Sequence, residues 1–117
     1  MRALVFLALA ACGPSEPMAY TVDTGGDVDR GHELAVAYGC HACHDIPDLR
    51  EPGGHVGPPL GGFARRTFIA GQLPNTPANL VRWIRDPHGL SPTSAMPALG
   101  LSEEEARDVA AFVYAQD

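Results

Sequence analysis

At 117 residues the chain has room for one domain at most. Eight Arg and no Lys stand against 14 acidic residues, a formal charge of −6, and no basic run is interleaved with aromatics, so composition argues against nucleic-acid binding. No apolar run is long enough for a transmembrane helix, and 13 Gly and 11 Pro, concentrated in residues 52–62 and 86–100, predict loops wrapped around something.

Taken in chain order, "MRALVFLALAAC" has one positive charge, a short apolar run and small residues before Cys12, the pattern of a secretory signal peptide. Leu9-Ala10-Ala11-Cys12 also resembles the lipobox of bacterial lipoproteins, in which the signal is cut before the Cys and that residue is acylated; Ala8-Leu9-Ala10 offers an ordinary cleavage site as the competing reading. Three Cys in an exported chain leave one unpaired under any disulfide scheme, and giving Cys12 to lipid leaves Cys40 and Cys43 as a pair. Residues 13–29 are rich in Pro, Gly, Ser and Asp without helical period and read as a flexible acidic tether. Its root-mean-square reach would be about 20–25 Å, and about 55–60 Å if pulled straight.

A first helix is predicted before Gly39, where Gly31, Leu34, Ala35 and Tyr38 share a face. It runs into Cys40-His41-Ala42-Cys43-His44. Two Cys at this spacing suit a disulfide, half of a zinc site, or a haem anchor. The disulfide motif of thioredoxin-like proteins follows a strand, and no βαβ pattern is present. Zinc wants four ligands, and His32, His41, His55 and His88 show no recognisable spacing for completing a site. C-x-x-C-H is the attachment motif of c-type haem: the sulfurs add across two vinyl groups, and His44 lies where its ring nitrogen reaches iron. Export agrees with this reading, because such attachment occurs outside the cytoplasmic membrane.

Further on, Thr76 is a cap for a second helix with Pro77 at its first position; Leu80, Trp83 and Ile84 share a face, and Pro87 bars extension. Met96 lies fifty-two residues beyond His44 in a Pro-flanked loop. Ser102 and Glu105 form a capping-box pattern for a last helix, with Ala106, Val109, Ala110 and Val113 at helical spacing.

In order, "GHELAVAYGCHACH", "GPPLGGFARR", "LPNTPANLVRWIRDP" and "SAMPALGLSEEEARDVAAFVYAQ" resemble the successive motifs of a class I cytochrome c over residues 29–117, and in particular the small c-type domains associated with terminal oxidases. The resemblance implies an all-α class I cytochrome c fold, three to five helices around one covalent haem c, with long Gly/Pro-rich loops. It implies that Met96 is the second axial ligand of the iron beside His44, and that Pro58 offers its carbonyl to the His44 ring. It implies that Trp83 packs on the haem and that Phe112 packs where the first helix, at Gly31, crosses the last. Arg65 or Arg66 would face a haem propionate, and Asn75 would serve either a propionate or its own turn. His32, His55 and His88 are expected in solvent, and His41 fills a variable position.

The expected organisation is a signal peptide over residues 1–11, a lipid-anchored tether over 12–29 and a cytochrome domain over 30–117. The expected function is single-electron transfer between redox protein partners at the periplasmic side of a bacterial membrane, inner or outer, with no small-molecule substrate. The alternatives are a haem c module of a multi-subunit oxidoreductase or, with Met96 off the iron, a catalytic or gas-sensing haem domain. Arg65, Arg66, Arg82 and Arg85 fall in a stretch without acids, opposite in sign to Glu103-Glu104-Glu105; two docking faces or scattered charge would both give this pattern.

Overall fold

A computed structural model describes residue 13 and residues 21–49 and 53–117; the expected signal segment and Cys12 lie outside the described residues. Among the described residues four α-helices follow in order: α1 (Val28–Ala37), α2 (Pro77–Arg85), α3 (Pro87–Leu90) and α4 (Glu103–Tyr114). Each starts where a side-chain oxygen takes up orphan backbone N–H groups. Asp27 accepts from Arg30 N at 2.7 Å, Thr76 from Asn79 N at 3.3 Å, and Asp86 from Gly89 N at 2.9 Å. At α4, Ser102 Oγ accepts from Glu105 N while Glu105 accepts from Ser102 N, a complete capping box. Pro87 does end α2 as expected, and it also opens α3, where its missing N–H costs nothing.

The core forms where α1 and α2 pack on α4. Leu34 and Ala35 of α1, Leu80, Val81 and Ile84 of α2, and Ala106, Val109, Ala110, Phe112 and Val113 of α4 are buried together. Gly31 makes the α1–α4 crossing close: a Cβ there would lie 1.9 Å from Asp108 O and 2.8 Å from Phe112 Cβ, so no other residue fits without moving a helix. Trp83 sits half-buried at the edge of this core rather than inside it, and Val81 takes the buried position.

Two features depart from the sequence expectation. A short antiparallel pair, β1 (Phe68–Ile69) and β2 (Leu73–Pro74), closes over a tight turn at Ala70 and Gly71, both at positive φ. The fold is therefore mostly helical with a minimal sheet. Residues 21–27, assigned to the tether, are instead fastened to α4. Thr24 Oγ1 donates to Arg107 O at 2.9 Å, and Asp27 N donates to Asp108 Oδ1 at 2.8 Å. The folded unit thus begins before residue 29, because polar groups in a Gly/Asp-rich stretch found partners more than eighty residues away.

Candidate functional site

The pentad is shaped by what precedes it. Tyr38 caps the end of α1, and Gly39 turns the chain through the left-handed region at φ +73°. Cys40–Ala42 then winds into a 3-10 turn, with Cys43 N and His44 N both reaching Cys40 O, at 3.3 and 3.1 Å. Residues 53–60 lie against this turn, joined by three backbone bonds: Gly54 N to His41 O (2.9 Å), Gly57 N to Cys43 O (2.8 Å) and Leu60 N to Asp45 O (2.8 Å). The predicted Gly/Pro-rich loop is therefore a clamp on the pentad.

Pro58 O lies 2.7 Å from His44 Nδ1. A carbonyl can only accept, so Nδ1 carries the proton and Nε2 is left as the lone-pair nitrogen. Gly57 leaves room for the same ring: a Cβ there would come within 2.4 Å of His44 Cε1, closer than any side chain could sit without a shift. The sequence carries this glycine within its motif without signalling that contact.

Cys40, Cys43, His44 and Met96 all line one apolar cleft, along with Leu80, Trp83, Ile84, Val109, Phe112 and Val113. Met96 arrives on the loop between α3 and α4, its N–H donating to Ser94 Oγ at 3.2 Å. Cys40 and Cys43 are both half-buried at the wall of this cleft and are not joined to each other by a disulfide. Among the described residues no three His, Cys, Asp or Glu side chains gather as a metal cage, so the zinc reading lacks a ligand set. The donor set fits haem c instead: two thiols at vinyl spacing, an imidazole with Nε2 free, a thioether from a distant segment, and apolar walls for the macrocycle.

The remaining predicted residues separate clearly. Of the two arginines only Arg66 lines the cleft; it stacks over Phe63 with its guanidinium carbon 5.4 Å from the ring centroid and donates to Pro59 O and Gly61 O. Arg65 is exposed and off the cleft. Asn75 does not reach the cleft either. Both of its amide hydrogens are spent on Phe63 O (3.0 Å) and Arg66 O (2.9 Å), and its Oδ1 accepts from Tyr114 OH at 2.7 Å, so it serves the turn and leaves no donor for a propionate. His32 is not in solvent: it is half-buried and its ring meets Phe112 edge-on, centroids 5.3 Å apart. His55 is exposed as expected. His88 is exposed too, yet its Nε2 lies 3.0 Å from Ser94 O. Arg85 lies 3.8 Å from Glu103, so the basic stretch and the acidic helix start touch at this pair.

Sequence reasoning missed Gln116, which is 1% exposed. Its amide accepts from Asp48 N (3.0 Å) and donates to Asp48 Oδ2 (3.1 Å) and Phe112 O (2.9 Å), while Gly62 N donates to its backbone carbonyl (3.0 Å). The end of the chain thus ties down both flanks of the pentad's clamp. A polar residue one place from the C-terminus carries no local signal of this.

A family model described as cytochrome c matches residues 28–116. Among curated proteins, cytochrome c oxidase subunit 2 of Alkalihalophilus pseudofirmus is 34% identical over 86 residues, 73% of this chain and 24% of that protein. The subunit 2 of Bacillus subtilis is 31% identical over 83 residues, 66% of this chain and 23% of that protein. The chain therefore spans about a quarter of the length of these relatives. Among solved structures, cytochrome c2 of Paracoccus denitrificans shares the fold, with a TM-score of 0.52, 23% identity, and coverage of 75% of this chain and 93% of that one.

Proposed function

The chain belongs to the cytochrome c family, and we propose that it is a monohaem carrier in which His44 and Met96 would both hold the iron. The family assignment makes it a haem electron-transfer protein with haem c attached covalently through its C-x-x-C-H motif. Such a haem supplies a one-electron Fe(III)/Fe(II) couple. The observation that carries the proposal is that Met96 shares one cleft with Cys40, Cys43 and His44 although fifty-two residues separate the two expected ligands.

The residues divide the work. Cys40 and Cys43 hold the haem as thioethers. His44, its tautomer fixed by Pro58, offers Nε2 as a strong nitrogen ligand. Met96 offers a neutral, soft sulfur, which favours ferrous iron and raises the potential above that of a bis-His site. Leu80, Ile84, Val109 and Phe112 keep water from the site, and Arg66, the cleft-lining cation of the pair considered, is assigned to a haem carboxylate. With His44 and Met96 both holding the iron, no position would be left for a substrate, and the protein would move electrons without further chemistry.

The test is a spectrum of purified holoprotein, oxidised and reduced, with and without carbon monoxide. A low-spin six-coordinate haem, a weak far-red Met–iron band and no rapid carbon monoxide binding are expected. In Met96→Ala the covalent haem should remain, the band vanish, the potential fall and carbon monoxide bind. An unchanged spectrum in Met96→Ala would remove Met96 from the iron and leave a different ligand, or an open site suited to catalysis or gas sensing.

The partners we propose are membrane redox proteins, a terminal oxidase among them; the likeness to oxidase subunit 2 over a quarter of its length supports this, and equally supports a haem c module that works inside such a complex. We place the domain on the periplasmic side, anchored through acylated Cys12, on the strength of the lipobox-like "LAAC". Wild type should then pellet with membranes and carry a lipid-sized mass increment on its N-terminal peptide, while Cys12→Ser should remain an uncleaved precursor or be released. Soluble wild type with an unmodified Cys12 would make it a diffusible carrier.

A further inference from the structure

The loop that brings Met96 to the cleft is poorly held by its own backbone. Among the described residues, the stretch 95–101 makes no backbone–backbone hydrogen bond. Its last firm point before Met96 is Ser94, whose N–H donates to Ser91 O at 3.0 Å and whose Oγ accepts the Met96 N–H at 3.2 Å. Beyond Met96 the next fixed residue is Leu101, 5% exposed.

Ser94 is in turn reached from α3. Pro87 is fully buried, Asp86 caps the helix through Gly89 N, and Ser91 N closes its end on Pro87 O at 2.7 Å, so α3 is a short but fixed platform. From it the His88 ring extends Nε2 to within 3.0 Å of Ser94 O. The carbonyl accepts, so Nε2 carries the proton. The ring therefore spans from a buried platform to the residue two places before the sulfur ligand.

Resting on the reading of Met96 as an iron ligand, we propose that His88 is a positioning residue that holds the Met96 loop in its ligating conformation and so resists displacement of the thioether by exogenous ligands. The bond exists only while Ser94 stands where the structure places it. When another ligand takes the place of Met96 the loop moves away, and the His88–Ser94 bond is surrendered with it. Its free energy therefore counts against displacement and not against haem attachment, which depends on Cys40 and Cys43.

The test uses ferric holoprotein of wild type, His88→Ala and His88→Gln, titrated with imidazole while the far-red Met–iron band is followed. Loss of one such hydrogen bond should raise the imidazole affinity of His88→Ala about fivefold. His88→Gln, which keeps an amide donor, should return within about twofold of wild type. Exchange of the Met96 amide hydrogen in the same proteins, free of added ligand, should quicken in the Ala variant alone. Equal imidazole affinity in wild type and His88→Ala overturns the proposal, as does a Gln variant that behaves like Ala. Failure of the underlying reading is separate and visible first: a wild type without the far-red band removes Met96 from the iron and this role of His88 with it, whereas an intact band with an unmoved Ala variant removes His88 alone.

Discussion

The two sides of the cleft are built by opposite means. On the His44 side, a 3-10 turn and the loop 53–60 are joined by backbone hydrogen bonds, the ring is pinned by Pro58, and Gln116 fastens the flanks. On the Met96 side, the stretch 95–101 has no such ladder and leans on Ser94, His88 and the burial of Leu101. A carrier needs its haem never to leave and its ligand field to be constant. The first demand is met by covalent and backbone structure on one side. The second, on the proposed ligation by Met96, would depend on the iron–sulfur bond itself helping to hold the loop. Ligand exchange should therefore be a property of the Met96 side alone.

The largest effect that would sharpen this contrast is loss of a thioether. Cys40→Ala or Cys43→Ala should lose stable haem attachment and cooperative folding together, since the haem fills the centre of a small core. Haem-stained gels and far-ultraviolet circular dichroism of the purified chain would report both. Met96→Ala should retain covalent haem, and a variant that lost haem as readily as the Cys variants would break the division between the two sides.

Next comes Gly57→Ala. The added methyl would sit 2.4 Å from His44 Cε1, so ring or loop must shift. We expect a loss of up to about 3 kcal/mol of holoprotein stability in guanidinium unfolding. The proton resonance of His44 Nδ1–H should move as its bond to Pro58 distorts. An unshifted resonance with full stability would mean the clamp is softer than its hydrogen bonds imply.

The smallest expected effect is that of Gln116→Ala, which removes three side-chain hydrogen bonds and leaves Phe112 O without the Gln116 amide donor. A loss of about 1–2 kcal/mol is expected, with the far-red band and its response to imidazole unchanged. Were imidazole binding to change, the two sides would be coupled through the C-terminus and the comparison would need redrawing.

What the sequence makes legible is local. Thr76-Pro77 and Ser102…Glu105 announce helix starts because a cap and its partners lie within four residues, and the haem pentad announces itself because its chemistry needs that spacing. The family likeness puts Gly31 and Phe112 at the helix crossing, and the crossing is there. Expectation fails where the partner lies far along the chain. Asn75, a candidate for a propionate, spends its amide on Phe63, Arg66 and Tyr114; Gln116 finds Asp48 sixty-eight residues away; His32 meets Phe112. No cap rule or periodicity encodes such pairings. His88 lies only six residues from Ser94, yet an irregular loop has no repeat from which to read the contact.

The bonds from Thr24 and Asp27 to α4 would shorten the proposed leash, and Val22 already packs against the core. Were Cys12 acylated as proposed, the chain between anchor and folded unit would run from there to Thr21 and no longer to residue 29. Nine residue steps span at most about 30 Å, roughly half of what the longer tether would allow. Halving the radius cuts the volume the domain can search about eightfold and raises its local concentration near a membrane partner to match. On the proposed anchor, a domain on so short a leash would meet proteins whose redox centres lie close to the bilayer, trading reach for the frequency of encounter.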